Sequence, residues 1–270
     1  ITWWNRKLTK LNRISGVTNA TSFVSNELVD TKGPYLEFVS PPATAERPAT
    51  ELLDQYGYDD RVVDAVVDEL FGGDRTGSLY QHQADTIEAI ETDPDDNILA
   101  VPTATGKTES FFLPVLNDCV ATDNDGLKAI VIYPMKTLGV DQLNRFLRYI
   151  DTVNQELPRE DRVTIGIWDR DTPAAVGPRD FDMDIGANVR GLECPRTQDD
   201  LRVTSDGTPG SEDWTYPWLK ITREQIRDGV DILLTNPDAI NYRLFNINDR
   251  QAHRLFVDQP KFLVFDEVHT

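Results

Sequence analysis

Val101-Pro102-Thr103-Ala104-Thr105-Gly106-Lys107-Thr108, with Glu109 next, decides the fold. The stretch leaves a short apolar run, 97–101, and enters a segment patterned as a helix over 109–120. A buried strand, a glycine-bearing loop and a helix start form the context a phosphate-binding loop requires. Backbone N–H groups around a helix N-terminus face an anion, and the helix dipole adds to the attraction. Thr103, Ala104, Thr105 and Gly106 form the cradle, and Gly106 allows close approach of the chain to a phosphate. Lys107 brings a point charge to the β- and γ-phosphates of ATP, and Thr108 offers a hydroxyl to Mg²⁺. Val101 stands where the general loop pattern has its first glycine.

Further apolar runs lie at 129–133, 163–168, 231–235 and 261–265, and a helical pattern fills 139–154. Strands alternating with helices predict an α/β fold with a mainly parallel sheet covered on both faces. Upstream, helices are expected over 49–56, 60–71 and 81–91. The second has Val62, Val63, Val66, Val67 and Leu70 at helical spacing, and Gly72-Gly73 ends it. Residues 1–50 read as an irregular arm. The segment 174–220 is rich in Asp, Gly and Pro and breaks the rhythm, so it reads as an insertion. These patterns divide the chain into an N-terminal arm with a helical extension, 1–78, and the α/β domain, 79–270.

Lys261-Phe262-Leu263-Val264-Phe265 is an apolar strand that ends in Asp266-Glu267-Val268-His269. Carboxylates at the C-terminal end of a parallel strand sit beside the phosphate loop. Asp266 is placed to hold Mg²⁺, and Glu267 to orient and polarise an attacking water. His269 is placed to sense the γ-phosphate. Asp-Glu-x-His alone is a weak signal in so acidic a chain. At the end of a buried strand, downstream of Gly-Lys-Thr, it is strong.

With these motifs in order, the chain from about Leu79 to Thr270, outside the insertion, resembles the N-terminal RecA-like ATP-binding domain of superfamily 2 DExH-type (DEAD/DEAH-box) helicases. The loop fits that superfamily's Ala-x-x-Gly-x-Gly-Lys-Thr pattern, with Val101 for Ala and Ala104 for its first Gly. Leu79-Tyr80-Gln81-His82-Gln83 resembles the Q-motif region. The resemblance implies that Gln83 reads the adenine edge and that Tyr80 stacks nearby. Tyr133-Pro134-Met135-Lys136-Thr137-Leu138, with Gln142, resembles motif Ia, whose loop touches a nucleic-acid backbone. Leu234-Thr235-Asn236-Pro237-Asp238 resembles the Thr-x-Pro-Asp motif, with Thr235 capping the next helix or meeting a phosphate. The nucleic-acid contacts so implied are Pro134, Lys136, Thr137, Gln142, Thr235, Asn236 and Pro237. Tyr-Pro-Met, Gly-Lys-Thr-Glu and the arm Gly33-Pro34-Tyr35-Leu36-Glu37…Pro41-Pro42 resemble a prokaryotic branch linked to DNA repair and phage defence.

The resemblance implies an ATP-dependent helicase or translocase, on DNA rather than RNA, with ATP and Mg²⁺ as cofactors. It also implies a second RecA-like domain, expected outside these residues. That domain supplies arginines that stabilise charge in phosphoryl transfer, so this chain by itself is expected to turn over little ATP. Two other readings stay open. One is an RNA helicase, since backbone contacts discriminate poorly between the two nucleic acids. The other is an assembly module switched by nucleotide, against which Lys107, Asp266 and Glu267 argue.

Composition sets the bounds. The 270 residues suit one domain of this size with flanking material. The net charge of −19 is unusual for a protein that grips phosphates. The acids are dispersed over helix faces and loops, as in Asp59, Asp60, Asp64, Asp68 and Asp123, which favours a halophilic source. No run reaches the length of a membrane span, Ile1 to Lys10 holds no apolar leader core, and only Cys119 and Cys194 occur. A cytoplasmic setting is expected. A zinc site around Cys194-Pro195 is not, because about four ligands are needed and no Cys-x-x-Cys exists. Cys119 reads as a core residue.

Overall fold

The computed structural model describes residues 42–93, 96–101, 105–122, 126–134, 136–175, 191–203, 208–211, 213–245 and 260–267. Most of the expected arm lies outside them. Two helices open the described chain, α1 (Ala49–Gln55) and α2 (Asp60–Phe71). Asp59 caps α2 by accepting from the Arg61 N–H at 3.0 Å. Gly72, left-handed at φ 59°, ends it, with Gly72 N–H bonded to Asp68 O and Gly73 N–H to Val67 O. This closure satisfies carbonyls the helix end would otherwise strand. Val62, Val63, Val66 and Val67 are buried, as their spacing predicts. The residues from 42 onward cluster with the sheet as one compact unit, so the helical extension packs into the α/β domain.

Helix α3 (Gln81–Thr92) precedes the phosphate loop, and α4 (Lys107–Ala121) follows it. Strand β1 (Ala129–Ile132) leads into the long α5 (Lys136–Glu156), against which α2 packs. The face between α4 and α5 is aromatic. Phe112 and Phe146 stack with centroids 4.0 Å apart, and Phe111 meets Phe146 edge-on. Strands β2 (Ile165–Trp168), β5 (Leu219–Lys220), β6 (Ile232–Thr235) and β7 (Phe262–Phe265) complete the main layer, with α6 (Arg223–Arg227) before β6 and α7 (Pro237–Phe245) after it. The five-stranded order is β5-β2-β6-β1-β7, and every pairing is parallel. In register, Ile132 pairs with both Thr235 and Phe265, and Trp168 with Thr235. The C-terminal ends of β2, β6, β1 and β7 therefore finish level along one edge.

Two expectations change. The run 97–101 is not in a strand, and Ile98 is 95% exposed. An apolar run becomes a strand only when a neighbour takes up its backbone groups. Among the described residues, β7 lies at the edge of the sheet, with Leu263 and Phe265 exposed. The insertion is also more structured than its composition suggests. It contains the antiparallel pair β3 (Arg202–Val203) and β4 (Pro209–Gly210), and it ends in β5, the far edge of the main sheet. Leu192, Cys194, Leu201, Val203, Tyr216 and Trp218 join the main core. Arg196 grips Asp151 of α5 through two bonds of 2.6 and 3.0 Å, and Asn144 of α5 bonds the backbone of Gly191 and Glu193. These apolar residues are separated by turns, so they leave no period to read. Cys119 is buried on α4, as expected.

Candidate active site

The level strand ends set out the site. Beyond β7 come Asp266 and Glu267; beyond β1 come Tyr133, Pro134 and the start of α5; beyond β6 comes Asn236. Neighbouring strands lie about 4.8 Å apart. The loop after β1 is therefore flanked on one side by the carboxylates and on the other by Asn236.

Gly106 stands at the N-terminus of α4 with φ 79° and ψ 33°, a left-handed conformation. A Cβ there would come 2.7 Å from the Gln83 amide nitrogen. That amide is engaged: Gln83 Nε2 donates to Gly106 O at 2.7 Å, while Gln83 Oε1 accepts from the Tyr80 N–H at 2.9 Å. Gln83 thus closes the start of α3 and ties it to the phosphate loop. A glutamine amide has two donors and two acceptor sites. Half of that capacity is spent, and the side chain is buried. Tyr80 is exposed and stacks on His82 at 5.8 Å. Gly106→Ala is expected to weaken nucleotide binding about tenfold. An L residue in the left-handed region costs roughly 1–2 kcal/mol, and its methyl displaces Gln83. An equilibrium titration with a fluorescent nucleotide checks this; unchanged affinity would show that the loop does not need this geometry.

Lys107 Nζ lies 3.5 Å from Glu267 Oε1. This ion pair joins the phosphate loop to the end of the last strand, as the two motifs require. Glu267 has φ 54°, unusual for a residue with a side chain. Such strain persists where the surroundings hold it, often at functional positions. Asp266 accepts from the Glu267 N–H at 2.9 Å. Burial pushes the Asp266 carboxyl above the usual carboxylate range; the charge of Glu267 adds to this, while the Glu267 N–H and Lys107 oppose it. Burial outweighs the help of Lys107, so this carboxylate gains from a nearby cation. Together with the Thr108 hydroxyl it gives a hard, all-oxygen donor set that fits Mg²⁺.

Behind the loop, Thr108 and Glu109 face α5. Thr108 Oγ1 donates to Gln142 Oε1 at 3.0 Å, and Arg145 Nη1 reaches Thr108 Oγ1 at 3.5 Å. Arg145 also pairs with Glu109 at 2.6 Å, and Tyr149 donates to the same carboxylate oxygen at 3.4 Å. Glu109 is only 1% exposed. Burial raises its carboxyl above the ordinary value, and Arg145 draws it back.

Residues 80–165 match the DEAD/DEAH box helicase family. Over 78 residues, 26% of this chain, the sequence is 35% identical to Druantia protein DruE of Escherichia coli (strain UMEA 4076-1) and spans 4% of that protein. In fold, it is similar to the crystal structure of the DUF1998 helicase MrfA bound to DNA and AMPPNP. That likeness has a TM-score of 0.50 and 18% identity, and covers 84% of this chain and 22% of the other.

Within the α/β domain, the structure sorts the expected residues. Tyr80, Gln83, Thr105, Gly106, Lys107, Thr108, Asp266 and Glu267 gather around the loop. Thr103, Ala104 and His269 lie outside the described residues, as do the side chains of Lys136 and Thr137. Pro134 is exposed at the strand edge, and Asn236 and Pro237 follow β6. Two of the expected nucleic-acid contacts have partners inside the domain. Gln142 lies nearly two turns into α5, and its side chain is turned to Thr108. Thr235 is still within β6, and its buried hydroxyl donates to Trp168 O at 2.7 Å. The cap of α7 is Asn236, whose Oδ1 accepts from the Ala239 N–H at 2.8 Å. Sequence reading did not single out Arg145 and Tyr149 as the support behind Thr108 and Glu109. The available signal was their spacing with Gln142 (i, i+3, i+7), which puts three polar side chains on one helix face.

Proposed function

We propose that this domain binds ATP with Mg²⁺ and belongs to an ATP-driven helicase or translocase acting on DNA. The observation that carries the reading is the meeting of Lys107 with Glu267 at the level strand ends, beside Thr108 and Asp266. Lys107 and the N-terminus of α4 neutralise the β- and γ-phosphates. Thr108 and Asp266 hold the metal, which when bound neutralises phosphate charge. Glu267 orients the attacking water. Tyr80 and Gln83, with its unspent N–H and lone pair, face the adenine. A second RecA-like domain completes the site with arginines.

Pro134, Lys136, Thr137, Asn236 and Pro237 form the nucleic-acid edge, which touches backbone rather than bases. DNA is favoured over RNA because MrfA, similar in fold, was crystallised with DNA and AMPPNP. ATPase activity of the full-length protein, measured with single-stranded DNA and with RNA, tests this. Stimulation by DNA alone or preferentially is expected; stimulation by RNA alone would reassign the substrate.

The reading includes a cytoplasmic setting and a halophilic source. Among the described residues, no helix is long and apolar enough to cross a membrane. With a net charge of −19, self-repulsion weakens the folded state in dilute buffer. At 1 M salt the Debye length shrinks to about 3 Å. Thermal melts are therefore expected to rise from dilute buffer to molar KCl. A steady fall over the same range would reject the halophilic reading.

A further inference from the structure

We infer that Gln142 is a positioning residue for the metal: its amide oxygen takes the Thr108 proton and so aims an oxygen lone pair of Thr108 at Mg²⁺. The inference rests on the ATP·Mg²⁺ reading above and assigns one of its supports.

The argument is a count of protons and lone pairs. A threonine hydroxyl has one proton and two lone pairs. To ligate a metal, it must point its proton away from the cation, toward an acceptor. Thr108 Oγ1 has two neighbours on α5. Arg145 Nη1, at 3.5 Å, only donates, so it occupies one lone pair. Gln142 Oε1, at 3.0 Å, accepts the proton. One lone pair remains, and it is the one a cation needs. Arg145 also settles which way the Gln142 amide faces. With its NH₂ toward Thr108, the amide would bring a second donor to a hydroxyl already facing a guanidinium, and the Thr108 proton would be left without this acceptor.

The arrangement is held from behind. Arg145 is pinned by Glu109 at 2.6 Å, and Tyr149 bonds the same carboxylate at 3.4 Å. Gln142, Arg145 and Tyr149 lie on one face of a single 21-residue helix, so they move together. That helix begins at Lys136, about 9 Å along the axis from Gln142 at 1.5 Å per residue. The side chain that aims the metal ligand is thus carried by the element that starts at the nucleic-acid edge.

The test compares the full-length protein with Gln142→Met, which keeps length and loses the acceptor, and Gln142→Glu, which keeps an acceptor oxygen. A fluorescent, non-hydrolysable ATP analogue is titrated in Mg²⁺ and in EDTA, and Mn²⁺ bound to the nucleotide complex is followed by electron paramagnetic resonance. Loss of an outer partner of a metal ligand typically lowers metal affinity 10–100-fold. Gln142→Met is expected to lose Mn²⁺ affinity in that range and the matching Mg²⁺-dependent gain in nucleotide affinity. Its affinity in EDTA and its thermal melt should match wild type, and Gln142→Glu should recover most of the loss. An undiminished Mn²⁺ affinity in Gln142→Met overturns the inference. So does an equal loss in Mg²⁺ and EDTA, which would mean a distorted loop. A wild-type protein that gains nothing from Mg²⁺ would instead sink the ATP·Mg²⁺ reading itself.

Discussion

Lys107→Ala in the full-length protein is expected to abolish ATP hydrolysis, and Glu267→Gln to stop turnover while leaving ATP bound. The two effects differ because the two side chains serve different stages. In the proposed reading Lys107 is the main protein counter-charge to the β- and γ-phosphates, and charge grows on those oxygens as the bond breaks. Removing a single stabiliser of developing charge costs about 10²–10³-fold in rate, and loss of ground-state binding adds to it. In the same reading Glu267 acts on the water, and removing such a group costs about 10²–10⁴-fold. The 3.5 Å approach of the two side chains adds a finer expectation. An incoming phosphate must displace Glu267 from Lys107. Glu267→Gln removes that competitor, so its ATP affinity should equal or exceed wild type. Nucleotide titration beside steady-state turnover separates the two variants. Normal turnover in Glu267→Gln would move the water-orienting role to another residue.

How much of this was legible beforehand follows from where each signal resides. The phosphate loop and the acidic strand end are local motifs, and local chemistry fixes their meaning. Their meeting across the sheet follows from parallel topology, which the alternating strand and helix pattern implies. The helix over 60–71 has the bounds its spacing predicts, because both its apolar stripe and its Gly72-Gly73 stop are written locally. What was not legible depends on partners distant in sequence. The run 97–101 looks like a strand by composition, but a strand needs a neighbour. The core residues of 191–220 are scattered among turns and show no period until Asp151 and Asn144 of α5 fix them. Gln142 and Thr235 carry hydrogen-bonding groups that suit a phosphate as well as an interior partner, and only the packing decides between these. Arg145 and Arg148 show the same ambiguity. Both suit a basic strip along the strand-end edge as well as an interior partner. Arg145 is instead held by Glu109 and Arg148 by Glu69, at 2.6 and 3.2 Å. Each is spent on a carboxylate of a neighbouring helix.

With Arg145 and Arg148 so held, the proposed nucleic-acid edge leans on Lys136. Lys136 opens α5 at the exit of β1, between the ends of β6 and β7. Lys136→Glu reverses a charge at this point and is expected to weaken single-strand binding for all sequences alike, because phosphate contacts position a strand without reading it. A lysine that neutralises one phosphate releases counterions when it binds. Its removal should therefore flatten the salt dependence, by about 0.7 in the slope of log affinity against log salt for a single strand. Basal nucleotide binding should persist, since the phosphate loop is a separate site. Stimulation of the ATPase by nucleic acid should fall much further than the unstimulated rate, because α5 joins this loop to Thr108 and Glu109 behind the nucleotide. The measurement is single-strand affinity at several salt concentrations, paired with ATPase rates with and without DNA. Wild-type binding and wild-type stimulation in Lys136→Glu would remove this edge as the contact surface and favour a nucleotide-switched module over a motor.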